Sequence, residues 1–290
     1  MQKYSIFNLI KNAFSNHQKW DLAWKDPTPK KEYDVVIIGG GGHGLATAYY
    51  LAKEHNITNV AIIEKGWIGG GNVGRNTTII RSNYMHDDNA LFSEFGMDLW
   101  RKMSQDLNYN VMFSPRGIIN LAHSDAQMNV YARRGNSMRL NGIDAELLNR
   151  EQVREIIPMA DFSENVRFPI FGGLMQPSAG TARHDAVAWG YARQADSMGV
   201  DIIQNCEVIG FDISGGKVEG VRTSRGDIKV KKIGLCVAGS TNILADKLNM
   251  TLPIETHLLQ ACVSEPVKPV LDKVVTFGAG HFYISQSDKG

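Results

Sequence analysis

Four β-branched residues, Val35-Val-Ile-Ile38, run directly into Gly39-Gly-Gly-Gly-His-Gly44 and then into Leu45-Ala-Thr-Ala-Tyr-Tyr-Leu-Ala-Lys53. A short run that is apolar on both faces reads as a buried parallel strand, and the segment after the glycines reads as a helix. Gly39, Gly41 and Gly44 fit the spacing G-x-G-x-x-G. The first permits a tight turn, the second lets the backbone approach a pyrophosphate, and the third allows close helix–strand packing. The helix start adds free N–H groups and the positive end of its dipole. Val60-Ala-Ile-Ile63 reads as the second strand, and Glu64 closes it twenty residues after Gly44. A carboxylate there accepts from both hydroxyls of an adenosine ribose and disfavours a 2′-phosphate. The segment therefore points to an adenine dinucleotide, with a purely structural glycine turn as the other reading.

The rest of the chain bounds the fold. With 290 residues, 43% of them hydrophobic, there is enough core for one large or two smaller domains. Lys+Arg is 31 against 30 Asp+Glu, so no basic field exists to hold nucleic acid. Cys206, Cys236 and Cys262 form no CxxC, which suits reduced thiols in the cytoplasm. No apolar run approaches the roughly 20 residues that cross a bilayer. Ile6, Leu9, Ile10 and Phe14 fall at helical spacing, as in an N-terminal arm docked on the body or on a partner subunit. Asp26-Pro-Thr-Pro-Lys-Lys-Glu32 reads as a linker, so the folded body begins near Tyr33.

Helices are expected at 87–107, 126–141 and 184–198. A further helix has a capped start at Asn149-Arg-Glu-Gln152 and is stopped by Pro158. Short β-type runs over 202–228, broken by Gly215-Gly216 and Gly226, read as an antiparallel meander. Ile233-Gly-Leu-Cys-Val-Ala238 returns to a buried parallel strand that ends at Gly239. The expected architecture is α/β. Residues 1–32 form an arm and linker, 33–110 and 181–250 a Rossmann-like domain, and 111–180 with 251–290 a mixed α+β substrate domain. The last of these ends without a closing helix, as if truncated.

Beyond Glu64, the loop Lys65-Gly-Trp-Ile-Gly-Gly-Gly-Asn-Val-Gly-Arg-Asn-Thr-Thr78 is polar and glycine-rich. It suits a flavin better than a nicotinamide cofactor, although a flexible surface turn has the same composition. Arg81 follows an apolar pair, where it could clamp a carboxylate in bidentate fashion or form a surface salt bridge. His184 stands at a helix start, where a neutral imidazole is either a nucleophile or a capping and packing residue. The remaining histidines have no metal spacing, and HExxH, G-x-S-x-G and P-loop motifs are absent. No metal is expected.

Tyr33–Ala52, Gly70-Gly-Asn72, Arg75-Asn-Thr-Thr-Ile-Ile-Arg-Ser-Asn-Tyr84, Gln176-Pro177, Arg183-His-Asp185 and Val200–Val208 together resemble the beta subunits of heterotetrameric sarcosine oxidases. The resemblance implies a D-amino-acid-oxidase-like, FAD-binding fold with two flavins. One is noncovalent FAD. The other is FMN attached covalently to a histidine, matched here by His184. Gly42, His43, Glu64, Asn72, Thr77 and Val208 match positions that line FAD, and Lys65, Arg75 and Thr78 join them as candidates. Arg81 matches the arginine that holds the substrate carboxylate. The implied reaction oxidises sarcosine with O2 to glycine and hydrogen peroxide. The one-carbon unit leaves as formaldehyde or passes to tetrahydrofolate on an alpha subunit, with gamma and delta subunits completing the complex. Family members continue beyond Gly290, and two alternatives stand beside this reading, the second of them prompted by that abrupt end. One is a dehydrogenase of other secondary amines or D-amino acids, without the second flavin. The other is a truncated, non-catalytic flavin-binding scaffold.

Overall fold

The computed structural model describes residues 5–19 and 22–287. The first four residues of the arm, residues 20–21 and the last three of the tail lie outside them. In chain order the elements begin α1 (Ile6–Ala13), β1 (Glu32–Ile38), α2 (Gly42–His55), β2 (Val60–Ile63), β3 (Ile79–Ile80), α3 (Asp87–Asp106), β4 (Ile118–Ala122), α4 (Asp125–Leu140), β5 (Glu146–Asn149) and α5 (Arg150–Ile156). They continue with β6 (Gly172–Gln176), β7 (Gly180–Thr181), α6 (His184–Ser197), β8 (Asp201–Ile203), β9 (Val208–Ser214), β10 (Lys217–Thr223), β11 (Gly226–Leu235), α7 (Thr241–Asp246), β12 (Val274–Phe277) and β13 (Phe282–Ile284). The chain divides into two compact units, 1–68 with 191–253 and 69–190 with 254–290. Residues 69–110 and 181–190, grouped with the dinucleotide-binding half on sequence grounds, thus cluster with the second unit.

The first unit is built on a six-stranded sheet in the order β8-β2-β1-β11-β10-β9. Strand β1 is central, parallel to both β2 and β11. Consecutive side chains of a strand point to opposite faces, so an unbroken apolar run fits a strand covered on both faces. Val36, Ile37 and Ile38 are buried accordingly. Helix α2 makes the crossover and buries Gly44, Leu45, Ala48, Tyr49 and Ala52, a stripe with helical spacing. Asn56 ends it in the left-handed conformation, its N–H donating to the Leu51 carbonyl.

Two expectations are corrected here. Ile202 and Ile203 belong to β8, which pairs parallel with β2 at the sheet edge and takes no part in the meander. The meander is β9-β10-β11, and β11 is a single ten-residue strand. It pairs antiparallel with β10 and parallel with β1, so the parallel strand expected at 233–238 is the far end of β11 and stops at Leu235. Ladder pairing stops at Ile38↔Leu235, and the backbone then turns at Ala238, φ +47°.

The linker is also more ordered than its composition suggests. Lys25 N–H donates to Asp196 at 2.9 Å, and Arg225 pairs with Asp26 at 2.9 Å and reaches the Pro27 carbonyl at 3.2 Å. Helix α1 forms as its spacing predicts, with the Ser5 hydroxyl accepting from Asn8 N–H, yet none of its residues is buried. Docking of its apolar face on the body is not what the structure contains.

Tyr33 closes one end of the first core. The side chain is fully buried, and its hydroxyl donates to Asp201 at 2.8 Å and accepts Lys30 N–H at 3.0 Å. Burial, with the Asp201 charge in support, pushes the phenol above its ordinary 10.0. Tyr33→Phe is expected to cost about 1.5–3 kcal/mol, the worth of a hydrogen bond to a charged acceptor, measured by urea unfolding at neutral pH. A raised folded-state pKa stabilises below the unfolded value and is lost as pH rises past it. The wild type should therefore lose stability above about pH 10 more steeply than the variant.

The second unit has a five-stranded sheet, β13-β12-β4-β6-β5, with β12 parallel to β4 and the other pairs antiparallel. Helix α5 carries the full capping box expected at Asn149 and Gln152. Its Val153 packs with Ile119, Leu121, Leu148, Ile170 and Met175. A separate two-stranded ladder pairs β3 with β7, Ile79 opposite Thr181 and Ile80 opposite Gly180. Among the described residues, no helix is long and apolar enough to cross a membrane.

Candidate functional site

In the first unit the glycine turn is closed by backbone approaches that leave no room for a side chain. A Cβ on Gly44 would lie 2.0 Å from the Gly39 carbonyl oxygen, and one on Gly39, itself at φ +110°, would lie 2.3 Å from that of Cys236. The turn therefore packs α2 against the ends of β1 and β11 as the fingerprint predicts. Gly41 is the N-cap of α2 and offers no side-chain cap. The first-turn N–H groups of Gly42, His43 and Gly44 are left for an anion.

Glu64 sits at the end of β2, half-buried. Its Oε2 accepts Gly40 N–H at 2.7 Å and its Oε1 accepts Gly66 N–H at 2.8 Å. A carboxylate has about four acceptor positions, so both oxygens keep capacity for a pair of sugar hydroxyls while the backbone fixes their direction. Cys236 lies beside the turn. Burial raises its thiol pKa, opposed by the polar Thr47 side chain beside it. Val208 is buried at the start of β9, and Lys65 is exposed beside Glu64. The turn, the carboxylate and the helix start together fit the adenosine diphosphate half of a dinucleotide.

In the second unit Asn72 opens a 3-10 turn, Asn72–Arg75. Arg75 is exposed and folds back onto the carbonyls of Gly70 and Gly71, which makes it a clasp of its own loop. Thr78 adopts φ +54°, a strained value for a β-branched residue, with its N–H held by Asn76 Oδ1 at 2.7 Å. The β3–β7 ladder then brings two sequence-distant candidates together. Ala182 N–H donates to the Thr78 carbonyl at 3.2 Å, which sets Thr77 and Thr78 beside the Thr181–His184 segment. A cavity opens there, lined by Thr77, Thr78, Ser114, Arg116, Thr181 and Arg183 among others.

His184 is the first residue of α6 and is half-buried. Its side chain makes no hydrogen bond among the described residues, so capping does not account for it. The helix start is served by Asp185, whose Oδ1 accepts Ala186 N–H at 2.8 Å and Arg183 Nε at 2.9 Å. Burial opposes ionisation of Asp185, but these bonds and the charges of Arg183 and His184 outweigh it and hold the carboxyl below its usual range.

Arg81 follows β3 directly. Its Nη1 donates to Asn83 Oδ1 at 2.5 Å and its guanidinium lies over the Tyr84 ring, 4.8 Å from the centroid. It forms no ion pair among the described residues. Around it is a buried polar network that sequence reasoning missed. Ser82 N–H donates to Gln176 Oε1, Gln176 Nε2 donates to Ser82 Oγ, and Ser82 Oγ donates to Glu94. Asn83 Nδ2 donates to Asn120 at 2.7 Å. Arg134 on α4 donates to the Asn83 carbonyl from both Nε and Nη2. The signal for Arg134 was its register: Tyr131, Arg134 and Met138 are three and four apart, the spacing of one helix face. Among the described residues, no grouping of His, Cys, Asp or Glu could hold a metal ion.

The model of the FAD dependent oxidoreductase family matches residues 34–290. The chain is 60% identical over 288 residues to sarcosine oxidase subunit beta of Rhizobium meliloti, covering 99% of this chain and 69% of that protein. It is 52% identical to the corresponding subunit of Rhodobacter capsulatus, covering 100% of this chain and 70% of that one. Among solved structures, L-proline dehydrogenase from P. horikoshii superposes with a TM-score of 0.78 at 25% identity, over 90% of this chain and 69% of that one. Glycine oxidase from Bacillus cereus, at 24% identity and a TM-score of 0.64 over 74% of this chain and 57% of that one, shares the fold. The glycine turn and its carboxylate thus have a shared context, and the chain belongs to the FAD-dependent oxidoreductase family and, within it, to the sarcosine oxidase beta subunits.

Proposed function

We propose that the chain is the flavin-bearing beta subunit of a cytoplasmic enzyme that oxidises sarcosine, with FAD held noncovalently in the first unit and FMN attached to His184. The observation that carries this reading is the identity to sarcosine oxidase beta subunits along nearly the whole chain. The net reaction is N-methylglycine + O2 + H2O → glycine + formaldehyde + H2O2. When an alpha subunit supplies tetrahydrofolate, the one-carbon unit passes to it in place of free formaldehyde. Bound, the flavins supply the two-electron acceptor and the route to O2.

The residues of the chain do the rest. The first turn of α2 would take the pyrophosphate and Glu64 the ribose hydroxyls, and Val208 matches a further position that lines FAD. Asn72 and Thr77 match, by the resemblance, positions that line FAD, and Thr78 stands as a candidate beside them. Arg81 binds the substrate carboxylate, fixing the N-methyl carbon against a single reacting face. The positive field of Arg81 and Arg134 works against a protonated amine, and only the neutral amine gives up its C–H bond with both electrons. The His184 ring, which makes no hydrogen bond among the described residues, offers a ring nitrogen to form the link to a flavin.

Mass spectrometry of the His184 peptide tests the reading. Co-expressed with its partner subunits in flavin-replete cells, the chain should carry one added FMN mass there, and His184→Ala should abolish it while noncovalent FAD remains. An unmodified wild-type peptide overturns the two-flavin assignment in favour of a single-flavin dehydrogenase. Flavin absorbance without sarcosine-dependent peroxide overturns the catalytic role in favour of a scaffold.

A further inference from the structure

Arg81 and Arg134 bring two guanidinium groups into one cluster with Tyr84 and Tyr131, and neither forms an ion pair with a carboxylate among the described residues. The nearby carboxylate, Glu94, is committed to the Ser82 hydroxyl and to Arg101. Two like charges in a partly buried site repel one another, and the repulsion is relieved when an anion enters. Arg134 registers it: burial first, and then the Arg81 charge, hold its guanidinium below the ordinary range.

Arg134 is also mechanically connected to Arg81. Its fork grips the Asn83 carbonyl, Nε at 2.5 Å with Nη2 beside it. The Asn83 side chain holds Arg81 Nη1 through its oxygen, while its nitrogen is tied to Asn120, which in turn donates to Thr276. Asn83 is fully buried, so its carbonyl and its amide cannot reorient independently. We propose that Arg134 is the positioning residue of a monocarboxylate site whose contact group is Arg81. It fixes Arg81 through Asn83 and adds a second, uncompensated positive charge. The proposal rests on the reading of Arg81 given above and deepens it.

The test uses the flavin-loaded complex with acetate, a carboxylate lacking the amine, as probe. Its binding is read from the perturbation of flavin absorbance. Arg134→Gln removes both fork and charge and should raise the acetate Kd and the KM for sarcosine about tenfold, the scale of a charge-assisted hydrogen bond, with kcat changed less than about threefold. Arg134→Lys keeps charge without the planar fork and should fall between the two. If Arg134→Gln does not fold, the lysine variant decides: weakened acetate binding supports the proposal, and wild-type affinity overturns it. Unchanged acetate affinity in Arg134→Gln, or a fall in kcat with KM unmoved, overturns the positioning role. Failure of the wild type to bind acetate at all overturns instead the assignment of Arg81 to a carboxylate.

Discussion

Gly44→Ala should yield a chain that purifies without the yellow colour of bound flavin. The added methyl would sit 2.0 Å from the Gly39 carbonyl oxygen, well inside any tolerable contact. Both partners are backbone, so no rotamer change relieves the clash. Either α2 lifts from the sheet or the turn opens. Overpacking of this kind typically costs about 1–3 kcal/mol, which the buried stripe of α2 can absorb without global unfolding. The effect on the cofactor is larger, because the N–H groups of the first turn bind only where they converge. FAD affinity should fall at least about 100-fold, some 2.7 kcal/mol. The ratio of flavin to protein absorbance reads the loss directly, with far-ultraviolet circular dichroism to show that the fold survives. Gly71→Ala is the matched control, because a Cβ there meets nothing within 4 Å, and it should keep its flavin. Wild-type flavin content in Gly44→Ala would mean that the α2 start does not hold the pyrophosphate.

That prediction stands on the part of the molecule most legible in the sequence. The strand β1, the turn, α2, β2 and Glu64 lie within about thirty consecutive residues, and each is specified by local chemistry: β-branching, glycine spacing, a helical apolar stripe. What escaped the sequence was non-local. Ile202 and Ile203 resemble any short strand of the meander in composition. They join β2 instead, a partner some 140 positions earlier that no local pattern marks. Strand β11 reads as two strands because its two ends answer to different neighbours, β10 and β1. The proline-rich linker reads as loose because the residues that pin it, Asp196 and Arg225, are far away in sequence. The candidate site shows the same split. Gly39, Gly44, Glu64, Arg81 and His184 could be picked out by motif or resemblance, whereas Arg134, Asn83 and Gln176 acquire their meaning only from one another.

Arg81→Met should lower kcat/KM for sarcosine about 100-fold, and the specificity of that loss is what ties it to the carboxylate. The guanidinium is already held on one side by Asn83 and on its face by Tyr84, so little of its freedom remains to be lost when a ligand arrives. A preorganised, charge-assisted pair is worth about 1.5–3 kcal/mol. At 1.36 kcal/mol per factor of ten, that is one to two orders of magnitude in rate. Methionine keeps the apolar length of the side chain over Tyr84 while removing the charge, which separates electrostatics from packing. Lysine at the same position restores charge but not the bidentate fork, and should recover roughly tenfold. The deciding comparison is with dimethylamine, which presents the same N-methyl group to the same flavin and has no carboxylate. Wild type and Arg81→Met should differ far less on it than on sarcosine, because the carboxylate contact was never made and only the help of Arg81 in keeping the amine neutral is lost. An equal loss on both substrates, at full flavin content, would assign Arg81 to the architecture of the β3–β7 ladder and leave the carboxylate without its partner.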